Sequence, residues 1–362
     1  MKIGRVKVTN FKSLKDIDLE LSDLTLLTGV NSCGKSSFIQ TLLLLKQNEL
    51  KFNNISKQQL ININGEYVVL GNKRDILFQD TFDEDIVIKL FNKNTSNELI
   101  FSSDNLVIKV DFLESSFNIF NDDFQYIMTD RISPQLYYPL SDEHVQNDII
   151  GIKGEYTAHY LAENRHKKVN IKELIHKNSK TEQLLENVSL WLSEISNNIE
   201  VKADIQQHTL SAILSYSYTY SDNTTNEYSP LSVGFGVTYV LPIVVSILKA
   251  KKDDLVIIEN PESHLHPAGQ SKIAQLCAIA SANGVQIIVE THSDHFLNGI
   301  RVATKKEILK PEQSQIYYFR KGEDELETKV NKLNIDIDGR INEDWPEGFF
   351  DEYRIQLDEL LW

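Results

Sequence analysis

The sequence predicts an α/β fold in which a mixed N-terminal β subdomain is followed by a helical insertion and a parallel sheet with flanking helices. The last third of the chain alternates apolar strands with helical stretches, which is the pattern of a parallel sheet with crossover helices. Residues 67–113 are rich in β-branched and aromatic residues broken by Asn, Asp, Ser and Gly, which predicts strands and hairpins. Apolar residues at three- and four-residue steps over 184–199 predict an amphipathic helix.

The composition excludes several classes of protein. Hydrophobic residues make up 41% and charged residues 25% of the 362 positions, so the chain is not mostly disordered, collagen-like or a coiled coil. There are 37 Lys and Arg against 52 Asp and Glu, a formal net charge of −15. A chain-wide basic surface for nucleic acid is therefore excluded, and only a local patch could bind it. The two cysteines, Cys33 and Cys277, predict neither a disulfide framework nor a zinc site and suit the cytoplasm.

The remaining elements follow in chain order from local patterns. We expect strands within 1–28, a helix at 35–46, strands within 204–219, helices at 233–249 and 270–282, and strands at 255–258 and 285–289. The apolar stretch 237–248 contains Pro242 and is shorter than the ~20 residues of a membrane span. It predicts a buried helix and no membrane partner. The expected parts are an N-terminal half (1–160), a basic and helical insertion (161–202), a C-terminal half (203–325) and an acidic, aromatic tail (326–362).

Residues 165–180 form a basic segment in an otherwise acidic chain. It contains Arg165 and five lysines against one acid, Glu173. A charge run of this kind is either a solvated helix face or a patch that contacts phosphates, and the residues leave both open.

The strongest motif is the octapeptide GVNSCGKS at 29–36, which fits G-x-x-x-x-G-K-[ST] without a mismatch. Its glycines let the backbone curl so that N–H groups face phosphate oxygens, and the following helix adds the positive end of its dipole. Lys35 is expected to reach the β- and γ-phosphates of a nucleotide, and Ser36 to coordinate Mg²⁺. The candidate nucleotide-binding residues are Gly29, Asn31, Ser32, Cys33, Gly34, Lys35, Ser36 and Ser37.

Two later strands end in polar side chains that suit phosphate chemistry. Residues 255–258 lead to Glu259, at the carboxyl end of a buried parallel strand, where open α/β sheets bind ligands. Glu259 is placed to hold Mg²⁺ or one of its water ligands. The next strand leads to Glu290 and to His292, which could hydrogen-bond the γ-phosphate or orient the attacking water.

The stretch LSVGFG at 231–236 precedes a long apolar helix. A serine and small residues at the start of a helix either bind an anion or cap the helix, and these residues alone favour neither reading. Ser232 and Gly234 are the candidates for anion binding.

Together these residues resemble the ATP-binding-cassette ATPase heads of the SMC, RecF and overcoming-lysogenization-defect group. NFKSL at 10–14 resembles the turn after their first strand, and LSVGFG resembles a diverged signature loop. Glu259 stands at the Walker B position and His292 at that of the switch histidine. The resemblance narrows to prokaryotic single-head ATPases with a C-terminal domain of unknown function, on the segments DRISP, GIKGEYTA, ENPESHLHP, ETHSDHFLNGIR and DWPEGFFDE.

The resemblance implies ATP and Mg²⁺ as cofactors, with Lys12 and Ser13 as further nucleotide-binding residues. It also implies a head-to-tail homodimer or larger oligomer, in which Ser232 and Gly234 complete the ATP site of the partner copy. Two functions follow as hypotheses. One is an ATP-dependent switch or scaffold that regulates an effector such as a nuclease, in prokaryotic anti-phage defence. The other is a DNA-repair type of ATPase that contacts DNA through residues 165–180.

The chain departs from the family pattern at the position of the usual catalytic glutamate, where it has Asn260. An amide cannot accept a proton from water as a carboxylate does. Either Glu262 or Glu290 takes this role, or hydrolysis is slow. The Q-loop glutamine is Gln47 or Gln79, with no choice between them.

Two features near the C-terminus have competing interpretations. The pair Asp336 and Asp338 predicts a turn around Gly339 rather than a nuclease site. The aromatic residues of the tail either pack onto the head or bind a partner; they are Trp345, Phe349, Phe350 and Trp362.

Overall fold

The computed structural model of the chain describes residues 1–52, 59–79, 85–92, 96–102, 107–112, 117–122, 124–196, 198–220, 223–322, 325–341 and 349–361. The chain divides into two compact units. The first unit contains residues 1–121, 315–334 and 342–362, and the second contains residues 122–314 and 335–341.

The N-terminal part of the first unit is mainly β-structure with one long helix. The elements are β1 (Arg5–Phe11), β2 (Leu14–Glu20), β3 (Leu24–Gly29), α1 (Lys35–Gln47), α2 (Glu49–Phe52), β4 (Gln59–Leu60), α3 (Lys73–Ile76), β5 (Asp85–Phe91), β6 (Ser96–Ser102) and β7 (Val107–Phe112). All of these strands except β3 form an antiparallel sheet in the order β2–β1–β5–β6–β7–β4.

The second unit contains parallel strands and most of the helices. The elements are β8 (Gln125–Ile127), α4 (Asp142–Gln146), α5 (Thr157–Asn164), α6 (Leu184–Ile195), β9 (Ile199–Gln206), β10 (Ser211–Tyr220), β11 (Asn223–Thr224), α7 (Phe235–Lys249), β12 (Leu255–Glu259), α8 (Pro267–Ala282), β13 (Gln286–Glu290) and α9 (Asp294–Lys305). The strands β13, β12 and β8 lie side by side and parallel. Strand β12 is apolar up to its last residue, as expected of a strand covered on both faces.

The C-terminal part of the chain returns to the first unit as a hairpin and a helix. These are β14 (Ser314–Arg320), β15 (Lys329–Leu333) and α10 (Glu352–Leu361). The hairpin strands β14 and β15 are antiparallel, and the strand order in this unit is β15–β14–β3. The strand that leads into the GVNSCGKS loop is therefore covered on one edge by a strand from the C-terminal segment.

The structure confirms the predicted α/β fold, including the buried helix α7 and the alternation of strands and helices in the last third. Two local expectations are wrong. The amphipathic helix ends at Ile195, and Ile199 begins β9 instead. The basic segment is not a helix, because after α5 it forms turns and a short 3₁₀ helix at Lys172–Leu174.

The turn predicted around Gly339 is confirmed. Gly339 has a φ of 75°, and the Asp336 carboxylate accepts the N–H groups of Asp338 and Arg340 at 2.9 and 2.8 Å. The first aspartate therefore has a structural role as a turn acceptor. Within the described ranges, no helix combines the length and the apolar character that crossing a membrane would need.

Candidate functional site

The loop between β3 and α1 has the geometry that its motif predicts. Gly29 and Gly34 have φ values of 138° and 105°, in a region that glycine adopts without strain. The space around the two residues also requires glycine. A Cβ on Gly29 would lie 2.0 Å from the carbonyl oxygen of Phe319, and one on Gly34 would lie 2.4 Å from Oγ1 of Thr328. No larger residue therefore fits at either position.

Lys35 is buried at the start of α1, with 3% of its surface exposed. Its ammonium group donates to the carbonyls of Gly29 and Val30 at 3.0 and 2.8 Å, so the side chain folds back over the loop. A buried cation over a curled loop at a helix N-terminus fits the phosphates of a nucleotide. Of the other candidates in the loop and the first turn of α1, Asn31, Ser32 and Ser36 are exposed, Ser37 is half-buried and Cys33 is buried.

The turn between β1 and β2 carries Lys12 and Ser13, as the family resemblance implies. The Lys12 ammonium donates to Oε1 of Gln40 on α1 at 2.7 Å, and burial lowers the pKa of Lys12. The hydroxyl oxygen of Ser13 lies 2.8 Å from that of Thr328, which also donates to the carbonyl of Cys33 at 2.9 Å. Thr328 therefore joins this turn to the phosphate loop, a role that sequence reasoning missed.

The structure does not decide between the two Q-loop candidates. The Gln47 side chain accepts the N–H groups of Tyr67 and Val68 and donates to the carbonyl of Asn62, so it organises the chain that follows α1. Gln79 is exposed. The Q-loop assignment stays a prediction.

In the second unit, Glu259 ends β12 with its carboxylate held in place by Thr129. Both the N–H and the hydroxyl of Thr129 donate to Oε2 of Glu259, at 3.2 and 3.0 Å. The phenol of Tyr126 on β8 lies against the same carboxylate, and its pKa is raised, mainly by burial and then by Glu259. Carboxylate oxygen is a ligand that Mg²⁺ prefers, and the role of Glu259 in holding the ion stays a prediction.

Arg131 organises the turn after β12, although the sequence analysis assigned no role to the DRISP segment. The side chain is 3% exposed and donates to the carbonyls of Glu259 and Asn260, both at 2.8 Å. Its guanidinium lies 4.3 Å from the centre of the Tyr239 ring. Burial lowers the pKa of Arg131 to about 10, which still leaves it charged at neutral pH.

Asn260 points into the protein. It has a φ of 44°, and its N–H donates to the carbonyl of Glu290 at 2.8 Å. Its Oδ1 atom is buried and has no hydrogen-bond partner among the residues that the structure describes. Residue 260 therefore carries a neutral amide whose oxygen is buried.

Glu262 joins the turn after β12 to the turn after β13. Its two carboxylate oxygens accept the hydroxyl of Thr291 at 2.8 Å and the N–H of His292 at 2.7 Å. Burial raises the pKa of Glu262 even though both hydrogen bonds lower it. The alternative acid, Glu290, is 5% exposed, whereas Glu262 is half-buried and the His292 side chain is exposed.

The signature-like loop is exposed. Ser232 ends the short 3₁₀ helix Pro230–Ser232, and Gly234 precedes α7 as its N-cap residue, with no side-chain cap. The cap of α7 is therefore Gly234 and not Ser232, and the anion-binding role of both residues stays a prediction. A Cβ on Gly234 would meet nothing within 4 Å among the described residues, so none of their contacts requires a glycine at this position.

Four of the basic side chains in 165–180 pair with acids of the same unit. The pairs are Arg165–Asp204, Lys167–Asp148, Lys168–Glu182 and Lys177–Glu194. These pairs reduce the positive charge that the segment offers to phosphates, and direct DNA binding stays a prediction.

The tail packs at Phe349, which is 1% exposed and meets the Tyr318 ring edge-on with 5.3 Å between ring centres. Trp345 and Trp362 lie outside the described residues. Leu360 and Leu361 on α10 are largely exposed.

Comparison with protein families decides the chain's membership. A family model described as "AAA domain, putative AbiEii toxin, Type IV TA system" matches residues 24–298, about three quarters of the chain. The chain belongs to this AAA-domain family. A second model, described as "Protein of unknown function (DUF3696)", matches residues 309–360 of the same AAA-domain chain. A search of curated proteins found no match.

Solved structures show the same fold for the AAA-domain chain. An SMC head bound to the C-winged helix domain of ScpA is 13% identical with a TM-score of 0.56, over 92% of this chain and 98% of that one. An SMC head with an extended coiled coil, bound to the C-terminal domain of ScpA derived from Pyrococcus furiosus, is 12% identical with a TM-score of 0.51, over 100% of both chains. The chain is therefore an ATPase of the AAA-domain family with the fold of an SMC head.

Proposed function

We propose that the chain binds ATP with Mg²⁺ on the Gly29–Ser36 loop, hydrolyses it slowly, and acts as a dimeric switch that regulates an effector protein. The observation that carries the proposal is the phosphate loop itself. Two glycines that no other residue can replace are followed by a buried lysine at a helix N-terminus. This arrangement suits a nucleotide's phosphates and little else.

In this proposal the acids after β12 have separate tasks. Ser36 and Glu259 would hold Mg²⁺, which when bound offsets the negative charge of the phosphates. Glu262 would accept the proton of the attacking water, because its raised pKa makes it a better base than an ordinary glutamate. Its hydrogen bonds to Thr291 and His292 fix the direction of the carboxylate. Both oxygens of Glu262 already accept hydrogen bonds and Asn260 contributes no second proton acceptor, so turnover is slow.

The exposure of Ser232 and Gly234 supports a contact with a second copy. In a head-to-tail pair, each copy would present this loop to the γ-phosphate bound by the other, and the two identical contacts close into a two-fold dimer. ATP would then favour the dimer, and hydrolysis would release it.

The proposal of an effector protein rests on the comparisons with known proteins. The family description names a toxin of a type IV TA system, which supports a prokaryotic defence setting. The two SMC heads with this fold are described as bound to domains of ScpA, which supports a protein partner for this head. We therefore infer a protein effector, such as a nuclease, whose activity follows the nucleotide state.

The dimer is tested by light scattering after gel filtration of the Glu262→Gln variant, which should bind ATP without consuming it. ATP is expected to double its mass, and ADP is not. Adding Ser232→Arg should leave the Glu262→Gln variant monomeric in ATP while ATP binding, measured by calorimetry, stays intact. An unchanged mass in ATP at full nucleotide occupancy would contradict the dimeric switch but not ATP binding.

A further inference from the structure

The C-terminal segment of unknown function touches the phosphate loop at two places. Phe319 on β14 places its carbonyl where a Cβ of Gly29 would be, and Thr328, just before β15, places its hydroxyl where a Cβ of Gly34 would be. All four residues belong to the first unit. The first and last glycines of the loop are therefore packed against one hairpin from the end of the chain.

Thr328 makes the more specific of the two contacts. It is almost fully buried, and its N–H donates to the carbonyl of Ser13 at 2.8 Å. Its hydroxyl oxygen lies 2.8 Å from the Ser13 hydroxyl and 2.9 Å from the Cys33 carbonyl oxygen. A threonine hydroxyl carries one proton, and a carbonyl can only accept. With Thr328 donating to Cys33, the Ser13 hydroxyl is left to donate to Thr328.

This contact fixes the orientation of one peptide plane in the loop. In a trans peptide the carbonyl and the following N–H point in opposite directions. Holding the Cys33 carbonyl towards Thr328 therefore turns the N–H of Gly34 away from Thr328. That N–H is one of the loop donors available to phosphate.

We propose that Thr328 is a positioning residue for ATP binding, through which the C-terminal segment sets the shape of the phosphate loop. The inference rests on the proposed ATP binding and assigns a task to the segment that matches the model of unknown function. Thr328 does not contact the nucleotide. It holds the Cys33–Gly34 peptide and the Lys12–Ser13 turn in one arrangement, so the loop needs no rearrangement when phosphate binds.

The test compares Thr328→Val, which keeps the shape and removes the hydroxyl, with Thr328→Ser, which keeps the hydroxyl. Calorimetric titration with MgATP should give a Kd about tenfold higher for Thr328→Val, because the buried Cys33 carbonyl loses its donor. Thr328→Ser should stay within about twofold of the wild type. The KM for ATP should rise in the valine variant while kcat stays nearly constant, since Thr328 takes no part in the chemical step.

A matched control separates positioning from general loss of stability. Thr304 is also fully buried and donates its hydroxyl to a backbone carbonyl, that of Ile300 at 3.1 Å, but it lies in the second unit on α9. Thr304→Val should leave the ATP Kd unchanged whatever it does to the melting temperature. Equal Kd values for the wild type and Thr328→Val would overturn the inference. A wild type that binds no ATP would instead overturn the proposed function.

Discussion

The hydroxyl of Thr291 donates a 2.8 Å hydrogen bond to the carboxylate of Glu262, so a residue that follows β13 orients an acid that follows β12. The N–H of His292 donates to the other oxygen of the same carboxylate. The two strands end side by side in parallel register, with Glu259 opposite Glu290. Glu262 is thereby fixed at the edge of the sheet, while the Oδ1 atom of Asn260 is buried.

The pH dependence of stability should report the burial of Glu262. A carboxyl whose pKa is raised in the folded state stabilises the protein below its unfolded pKa, and this stabilisation is lost as the pH rises through the folded pKa. Glutamine at this position does not titrate. The melting temperature of Glu262→Gln minus that of the wild type should therefore increase from pH 4 to pH 8. A difference that stays constant with pH would show that Glu262 has an ordinary pKa.

The pH dependence of kcat should also report the protonation of Glu262. A general base must be deprotonated, so kcat should fall as the solution is made more acidic, with a midpoint above the pKa of an ordinary glutamate. Measurement of kcat at saturating MgATP from pH 5 to pH 8 gives this midpoint. A midpoint at or below the ordinary value would assign the proton to another acceptor.

Arg131 should be needed for the stability of the turn after β12. Arg131→Met keeps an apolar stem but leaves the carbonyls of Glu259 and Asn260 without their donor, which should cost about 2–3 kcal/mol in the free energy of unfolding by urea. Lys153→Met is the control, because its ion pair with Asp130 is exposed and should change the same free energy by less than about 1 kcal/mol. Equal losses in the two variants would show that Arg131 has no special role.

Two glycine substitutions should separate the phosphate loop from the signature-like loop. Gly34→Ala should abolish ATP binding, since its Cβ would collide with Thr328 at a φ of 105°. A Cβ at Gly234 would meet open space among the described residues, so Gly234→Ala should leave the folded chain and the ATP affinity of the monomer unchanged. If Gly234 faces a second copy, this alanine should still weaken ATP-dependent dimerisation in the Glu262→Gln background. An unimpaired dimer would move the interface elsewhere.

Local patterns were enough to predict most of the fold. Examples are the strand that ends at Gly29, the helix that begins at Lys35 and the strand that ends at Glu259. Each of these elements depends on side chains within a few residues of each other. The phosphate loop is a contiguous motif of the same kind. Boundaries are less accurate, as at Ile199, where apolar spacing continues from the end of α6 into a strand although Ser196 and Asn198 between them favour a turn.

The supporting contacts of the site could not be predicted in the same way. Thr328 donates to the carbonyl of Cys33, which lies 295 residues earlier in the chain. Arg131 donates to the carbonyl of Asn260, which lies 129 residues later. A single sequence does not show which residues so far apart form hydrogen bonds with each other. Nothing in the sequence distinguishes a threonine or arginine that will be buried from one that will be exposed. The DRISP segment was singled out by family resemblance, but the task of its arginine follows only from the folded turn.

We propose that this chain hydrolyses ATP with Lys35 as a phosphate ligand and Glu262 as the proton acceptor. The decisive experiment is steady-state ATP hydrolysis by the wild type, Lys35→Ala and Glu262→Gln, with ATP binding measured on the same samples. We expect slow turnover by the wild type and loss of both binding and turnover in Lys35→Ala. Turnover should fall by about a hundredfold or more in Glu262→Gln, with binding retained. Wild-type turnover in Glu262→Gln would rule out this mechanism.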